Sequence, residues 1–313
     1  MRSKRQLKSK IHTVRNIKQI TKAMQMVAAA KMRKAQEVAL RARPYAKSAL
    51  ALLSRILRYS KELENISSPL WESRDGKKIG LVVATSDRGL SGAFNSSVLR
   101  KAWNLSRELQ EKGSEVEIVA VGKKGRDFFL KRGLKPVAEF YRFSDIVTLS
   151  DIAPLADWIL NAYEKKEYDK ILFCSTQFIS ALNQKAEIRQ VLPLDREELI
   201  RTVENIVPKT GKYSELRRGE KNNRNEIPYI LEPSAKEIVE NLVRDLVKVE
   251  IVHLIFESNA SEHSARMIAM KNATDNAQRL QETLILELNK ARQSSITQEL
   301  AEVTTAREAL AGE

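Results

Sequence analysis

The residues best placed to do chemistry are Ser86-Asp87-Arg88-Gly89-Leu90-Ser91-Gly92-Ala93, a glycine-bearing loop between an apolar run and a helical pattern. Such loops can aim backbone N–H groups at an anion beside a helix N-terminus, so their chemistry would be phosphate or carboxylate binding. This one matches neither GxGxxG nor GxxxxGK followed by Ser or Thr, and glycines at a tight strand-to-helix turn need no ligand to explain them. Gly122-Lys123-Lys124-Gly125, after the next apolar run, carries the same two readings. Asp87 with Ser86 or Ser91 could form part of a nucleophilic triad. However, no His is placed near them in the same segment, and no GxSxG elbow occurs. His12, His253 and His263 fall in separate helical contexts without i, i+4 pairing, so no metal site is expected. Cys174 closes an apolar run and reads as a buried core thiol. Nothing here amounts to an active site, and no cofactor is expected.

The elements that would position these residues follow from periodicity. Residues 79–85, 117–121 and 170–175 are short β-rich runs separated by helical patterns at 93–112 and 152–166, which predicts a parallel α/β sheet. On either side of it lie two very long helical patterns. In the first, Leu7, Ile11, Val14, Ile17, Ile20, Met24 and Val27 recur every three or four residues, followed by Ala28, Met32, Ala35, Val38 and Leu40. No Gly precedes Gly76 and no Pro precedes Pro44. The second begins after Pro233 and meets no Gly before Gly312. Ser234 is its candidate N-cap and Glu237 completes a capping box. Its stripe runs through Ile238, Leu242, Leu246, Val249, Val252 and Ile255, then Ala273, Ala277, Leu280, Leu284, Leu288, Ala291, Ile296, Leu300, Val303 and Leu310. At 1.5 Å per residue such a helix would be on the order of 110 Å long.

Two long helices with narrow apolar stripes bury them most simply against each other, as an antiparallel coiled coil. The predicted domains are therefore an N-terminal coiled-coil helix over 1–60, an α/β domain over 61–232 and a C-terminal coiled-coil helix over 233–313. A polar, irregular insertion is expected at about 194–225, with RRGEKNNRN at 217–225 at its centre.

The chain has 313 residues and a formal charge of +14. Residues 1–60 hold 16 bases and one acid, Glu37, so the excess is concentrated there and the remainder is close to neutral. Nucleic-acid binding by base stacking is excluded for this stretch, because the first aromatic is Tyr45. Phosphate tracking, contact with acidic protein loops and a plain solvated face all remain open. One cysteine excludes an intramolecular disulfide framework, which fits a reducing compartment. No apolar run approaches the roughly 18 residues that span a bilayer.

Three blocks resemble the γ subunit family of F-type ATP synthases: IKQITKAMQMVAAAKMRKAQ at 17–36, SDRGLSGAFN at 86–95, and ESNASEHSARMIAMKNATDNAQRLQETLILELNKARQSSITQEL at 257–300. They occur in the family order, at the ends and middle of a chain of the right size, so the resemblance spans essentially the whole protein. The resemblance implies a rotor with no catalytic site of its own, built as an antiparallel coiled coil of the terminal helices plus a central Rossmann-like parallel-sheet domain. The coil would enter a hexamer of three α and three β subunits. The central domain would sit beside the ε subunit and the c-ring, making the chain a peripheral protein on the cytoplasmic side of the cell (inner) membrane.

Residue by residue, Met24 with Lys22 and Lys31 resembles the neck facing an acidic lever loop of β. Arg292, Gln293 and Thr297 resemble the polar cluster that meets the catch loops, with Glu299 and Arg266 as helix-to-helix supports. Tyr229 and Glu232, in PYILEP, resemble the foot segment near the c-ring. Ser91 stands where family members commonly carry Cys. The 194–225 insertion is longer than the resemblance to compact bacterial members implies and contains no Cys, so a dithiol switch there cannot operate. Two other classes compete with the rotor: a nucleotide- or anion-binding α/β enzyme, and a basic coiled-coil nucleic-acid binder.

Overall fold

The computed structural model describes residues 4–59, 69–72, 74, 77–194 and 234–311. Tyr229, Glu232 and residues 195–225 of the polar insertion lie outside the described residues. The elements are α1 (Lys4–Tyr59), β1 (Lys78–Ala84), α2 (Phe94–Glu111), β2 (Glu115–Val121), α3 (Lys123–Leu130), β3 (Ala138–Phe140), α4 (Leu149–Glu164), β4 (Lys170–Phe178), β5 (Gln184–Leu192) and α5 (Ala235–Ala311). Ser234 caps α5, its Oγ accepting the Glu237 N–H at 3.2 Å. The chain forms two compact units, Ala29–Ala265, and Met1–Ala28 with Arg266–Glu313.

The Ala29–Ala265 unit holds a five-stranded sheet in the order β3-β2-β1-β4-β5. The first three pairings are parallel and β5 runs antiparallel to β4. Strand alternation separates two cores. Leu81 and Val83 of β1, Ile118 of β2 and Cys174 of β4 join Val98, Leu99 and Ala102 of α2 and Phe129 of α3. From the other face, Val82, Ala84, Val119, Val121, Ile171 and Phe173 meet α4 and the first turns of α5, from Val239 to Phe256. The sheet is thus sandwiched between helical layers, and α5 enters the α/β core as a full packing partner. Full burial of each aliphatic side chain in such a core is worth about 1.5–3 kcal/mol.

In the other unit, a seam of strict seven-residue repeats joins α1 and α5 antiparallel. Leu7, Val14, Thr21 and Ala28 mark it on α1; Met270, Ala277, Leu284 and Ala291 mark it on α5. Leu7, Val14, Ala277 and Leu284 are buried together, flanked by Ile11, Leu288 and Ala291. Thr274 donates to Thr21 across the seam at 2.8 Å. A seven-residue spacing keeps one stripe facing its partner, whereas steps of three rotate away from it. Hence Ile17, Ile20 and Val27, which continue the apolar pattern of the sequence, point outward at 47%, 58% and 53% exposure.

Candidate functional site

The glycine loop lies at the carboxyl ends of β1 and β2, where an open α/β sheet would receive an anion. The N–H groups of the neighbouring α3 N-terminus are already used. The Asp87 carboxylate accepts the N–H of Lys123, the first residue of α3, at 2.9 Å, and the N–H of Arg142 at 2.7 Å. A built-in carboxylate therefore occupies the anion position at this helix N-terminus. Gly125 N–H donates to Thr85 Oγ1 at 2.8 Å, and Thr85 Oγ1 donates to Val121 O at 2.9 Å. Asn95 fixes the rest of the loop: its Oδ1 accepts Ser86 N–H at 2.9 Å, and its Nδ2 donates to Ser86 Oγ at 2.8 Å and Ser91 Oγ at 3.2 Å. The second glycine turn is packed equally closely. Gly122 has φ +86°, and a Cβ there would lie 2.2 Å from Thr85 O. Both glycine motifs are structural turns.

The crevice between β1 and β4, where the strand order reverses, is the usual ligand position in such sheets. Here it meets side chains of the chain's own helices. Ser261 Oγ donates to Thr176 O at 3.4 Å, Ser264 Oγ donates to Ala181 O at 2.6 Å, and His263 Nε2 lies 2.8 Å from Asp145 O. All three α5 residues are buried. From α1, Lys31 Nζ reaches Asp145 Oδ2 at 2.7 Å, and Arg88 lies 3.7 Å from the same carboxylate. The Lys31 hydrogen bond, opposed by partial burial, holds the Asp145 carboxyl below its ordinary value. At this partly exposed site the ion pair is worth less than about 1 kcal/mol.

A second polar cluster joins α5 to the edge strand β5. Arg189 hydrogen-bonds Glu187 and lies 3.9 Å from Glu257. His253 Nε2 is 3.6 Å from Glu257 Oε1 and makes no hydrogen bond. Burial, with Arg189 nearby, pushes His253 down to about 3, so it is neutral and the 3.6 Å contact is no ion pair. Burial pushes Glu257 up to about 7; Arg189 opposes the rise and Glu187 adds to it. Cys174 donates to Val98 O at 3.6 Å, and burial pushes its thiol up to about 12, which leaves it inert as a nucleophile. Among the described residues, no group of three or more His, Cys, Asp or Glu side chains is placed to hold a metal ion.

In the helical unit, Met24 is half-buried beside the seam and Lys22 is exposed. Arg266 is half-buried. Arg292, Gln293, Thr297 and Glu299 are exposed; Thr297 Oγ1 donates to Gln293 O at 3.0 Å, and Glu299 accepts from Ser295 at 3.1 Å. Every side chain from Arg292 to Arg307 is exposed except half-buried Ser295. Ile296, Leu300 and Val303 stand out at 45%, 62% and 67% exposure. Sequence reasoning singled out neither Asp87 as the internal anion nor Ser261 and Ser264 as the pair that bonds α5 to β4 and the β4–β5 turn. The SEHS run at 261–264 held that signal, because clustered small polar residues in a long helix mark a close polar contact.

An α/β body whose carboxyl edge is bonded by its own helices, and a two-helix unit with apolar side chains left outward, fit a non-catalytic assembly subunit. A family model described as ATP synthase matches residues 3–310. The ATP synthase gamma chain of Pelotomaculum thermopropionicum is 36% identical over 310 residues, covering 99% of this chain and 100% of the relative. That of Roseiflexus castenholzii is 37% identical over 312 residues, covering 99% of both. The chain belongs to the ATP synthase gamma chain family. Its fold is similar to a chain in the structure of Euglena gracilis mitochondrial ATP synthase, with a TM-score of 0.62 at 19% identity over 98% of this chain and 94% of that one. A central-stalk chain of Tetrahymena thermophila mitochondrial ATP synthase gives 0.53 at 23% identity, covering 81% and 99%.

Two outcomes are expected. Gly122→Ala combines a disfavoured positive φ with a backbone clash and should destabilise the α/β unit by about 3 kcal/mol, read as a loss of thermal stability with unchanged secondary structure below the transition. For Glu257, a folded-state value raised from 4.5 to about 7 means that the folded chain binds more protons across that window. Its contribution to stability falls as pH rises through the window and is level above it. Glu257→Gln should flatten this slope in a thermal-melt series, and an unchanged slope would place the titration elsewhere.

Proposed function

We propose that this chain is the central-stalk rotor of a proton-translocating ATP synthase, turning inside a hexamer of three α and three β subunits to couple proton flow to ATP synthesis. The observation that carries this reading is the outward apolar surface of the helical unit: Ile17, Ile20, Met26 and Val27 on α1, and Ile296, Leu300 and Val303 on α5. A two-stranded coil exposed to water would place polar residues there, so a protein sleeve is the natural environment. Flexible Met and small Ala side chains around 24–30 suit contacts that must form and break on rotation. Continuous helix, free of Gly and with Pro44 as its sole Pro within α1, supplies axial stiffness.

Within this reading Met24 and Lys22 form the neck that meets the acidic lever loop of β. Lys31 serves the same neck while paired with Asp145. Arg292, Gln293 and Thr297 meet the catch loops; Arg292 can offer a fork of donors to a carboxylate. Glu299 and Arg266 support the helix pair, and Tyr229 and Glu232 belong to the foot. The α/β unit lies beside ε and the c-ring, on the cytoplasmic side of the cell membrane. No helix among the described residues is long and apolar enough to cross a membrane, which fits attachment through the complex.

Mixing the chain with its cognate α and β subunits should give a complex with one copy per three β, and multisite ATP hydrolysis that the parts lack. Size exclusion and an ATPase assay read both, and failure to assemble would return the chain to the binding-protein class. Met24→Lys should leave assembly intact while lowering protons pumped per ATP in reconstituted vesicles, by adding a cation beside the acidic lever. Unchanged pumping would remove Met24 from the neck.

A further inference from the structure

Helices α2 and α3 follow neighbouring parallel strands and pack on the same face of the sheet, leaving a groove of about 600 Å³ between them. Its floor is apolar: Leu99 and the half-buried Trp103 and Phe128, whose rings meet edge to face at 6.2 Å between centroids. Its rim is cationic. Arg100, Lys124 and Lys131 line it, and none of them has an ion pair among the described residues. The groove's single acid, Asp127, is already held by Arg126 at 2.8 Å. Lys124 belongs to the Gly122–Gly125 turn, and the other named residues lie outside both the helical unit and the strand-end turns.

Arg132 decides what kind of ligand fits. Its guanidinium lies 3.5 Å from the Phe128 ring centroid and 5.4 Å from that of Trp103, and one of its N–H groups donates to Phe128 O at 3.2 Å. The cation lies over a face of Phe128 and takes it from a nucleobase that would stack there. A guanidinium held over a ring and tied by one hydrogen bond keeps further N–H donors for a carboxylate. Carboxylates along the rim would neutralise three unpaired cations, and an aliphatic side chain would cover the exposed edges of Trp103 and Phe128.

We propose that the α2/α3 groove docks an acidic, leucine-bearing segment of a partner protein. Arg100, Lys124, Lys131 and Arg132 bind its carboxylates, and Leu99, Trp103 and Phe128 receive its apolar anchor. The proposal is independent of the rotor reading. The groove also differs from the basic start of α1, because it pairs charge with an aromatic floor.

The test uses the full chain and a fluorescently labelled synthetic peptide with Glu and Leu at helical spacing, titrated at about 0.1 M salt, where distant charges are screened. Binding should be saturable. The exposed pair Arg100→Glu with Lys131→Glu should weaken it at least tenfold, and Arg100→Gln with Lys131→Gln by a smaller factor. The same number of reversals on α1, Lys8→Glu with Lys10→Glu, should change it less than twofold. The indole emission change on binding should vanish in Trp103→Phe, and circular dichroism checks that each variant is folded. Absence of saturable binding would overturn the proposal, as would equal losses from groove and α1 reversals. Displacement of the peptide by magnesium–ATP with a matching Trp103 signal would overturn it in favour of a nucleotide site.

Discussion

The contact on which the α/β unit depends is the hydrogen bonding of α5 to the carboxyl ends of the sheet. Ser261, His263 and Ser264 place small or flat polar groups against the carbonyls of Thr176, Asp145 and Ala181. Small side chains let the helix approach closely, and the Ser261 hydroxyl satisfies the carbonyl of buried Thr176. This one contact does two things. It ties α5 to three segments at the edge where a related fold would take a nucleotide, and it anchors α5 to the body that must transmit or receive torque. An apolar contact of equal area would slide more readily, because it has no preferred register, whereas three directed hydrogen bonds have one.

The two ends of α5 obey different rules because their surroundings differ. From Val239 to Phe256 the helix is apolar on a wide face, since it lies on a sheet and beside α4. Beyond Arg266 its buried stripe narrows to the seven-residue seam, and past Ala291 no described side chain is buried. The loss of intramolecular burial along one continuous helix separates the part that folds with this chain from the part that needs other subunits. The same division appears on α1, where Ala28, Met32 and Ala35 are buried while Ile17, Ile20 and Val27 are not.

Much of this was legible in the residues. The absence of Gly from both long helices, and of Pro from α5 and from α1 before Pro44, announced them, and three β-rich runs announced the parallel part of the sheet. Strand β5, QKAEIRQVL, was not legible, because an edge strand paired on one side carries no continuous apolar run. Nor was the three-residue β3. The apolar stripe of α1 misled at Ile17, Ile20 and Val27, because a sequence does not say whether an apolar residue is buried within its own chain or against another one. Asp87 was weighed as a triad member, and its role as the internal anion of α3 depends on Arg142, which is remote in sequence. Type and spacing alone could not bring the two together.

The central claim is that this chain turns within a ring of other subunits. The most direct measurement replaces Cys174 with Ser and exposed Lys112 with Cys, attaches a visible probe at position 112, and immobilises an assembled α–β complex containing the chain by its β subunits. On addition of ATP the account predicts rotation in one direction, pausing at each third of a turn. A complex that hydrolyses ATP at its full multisite rate while the probe stays fixed would contradict it.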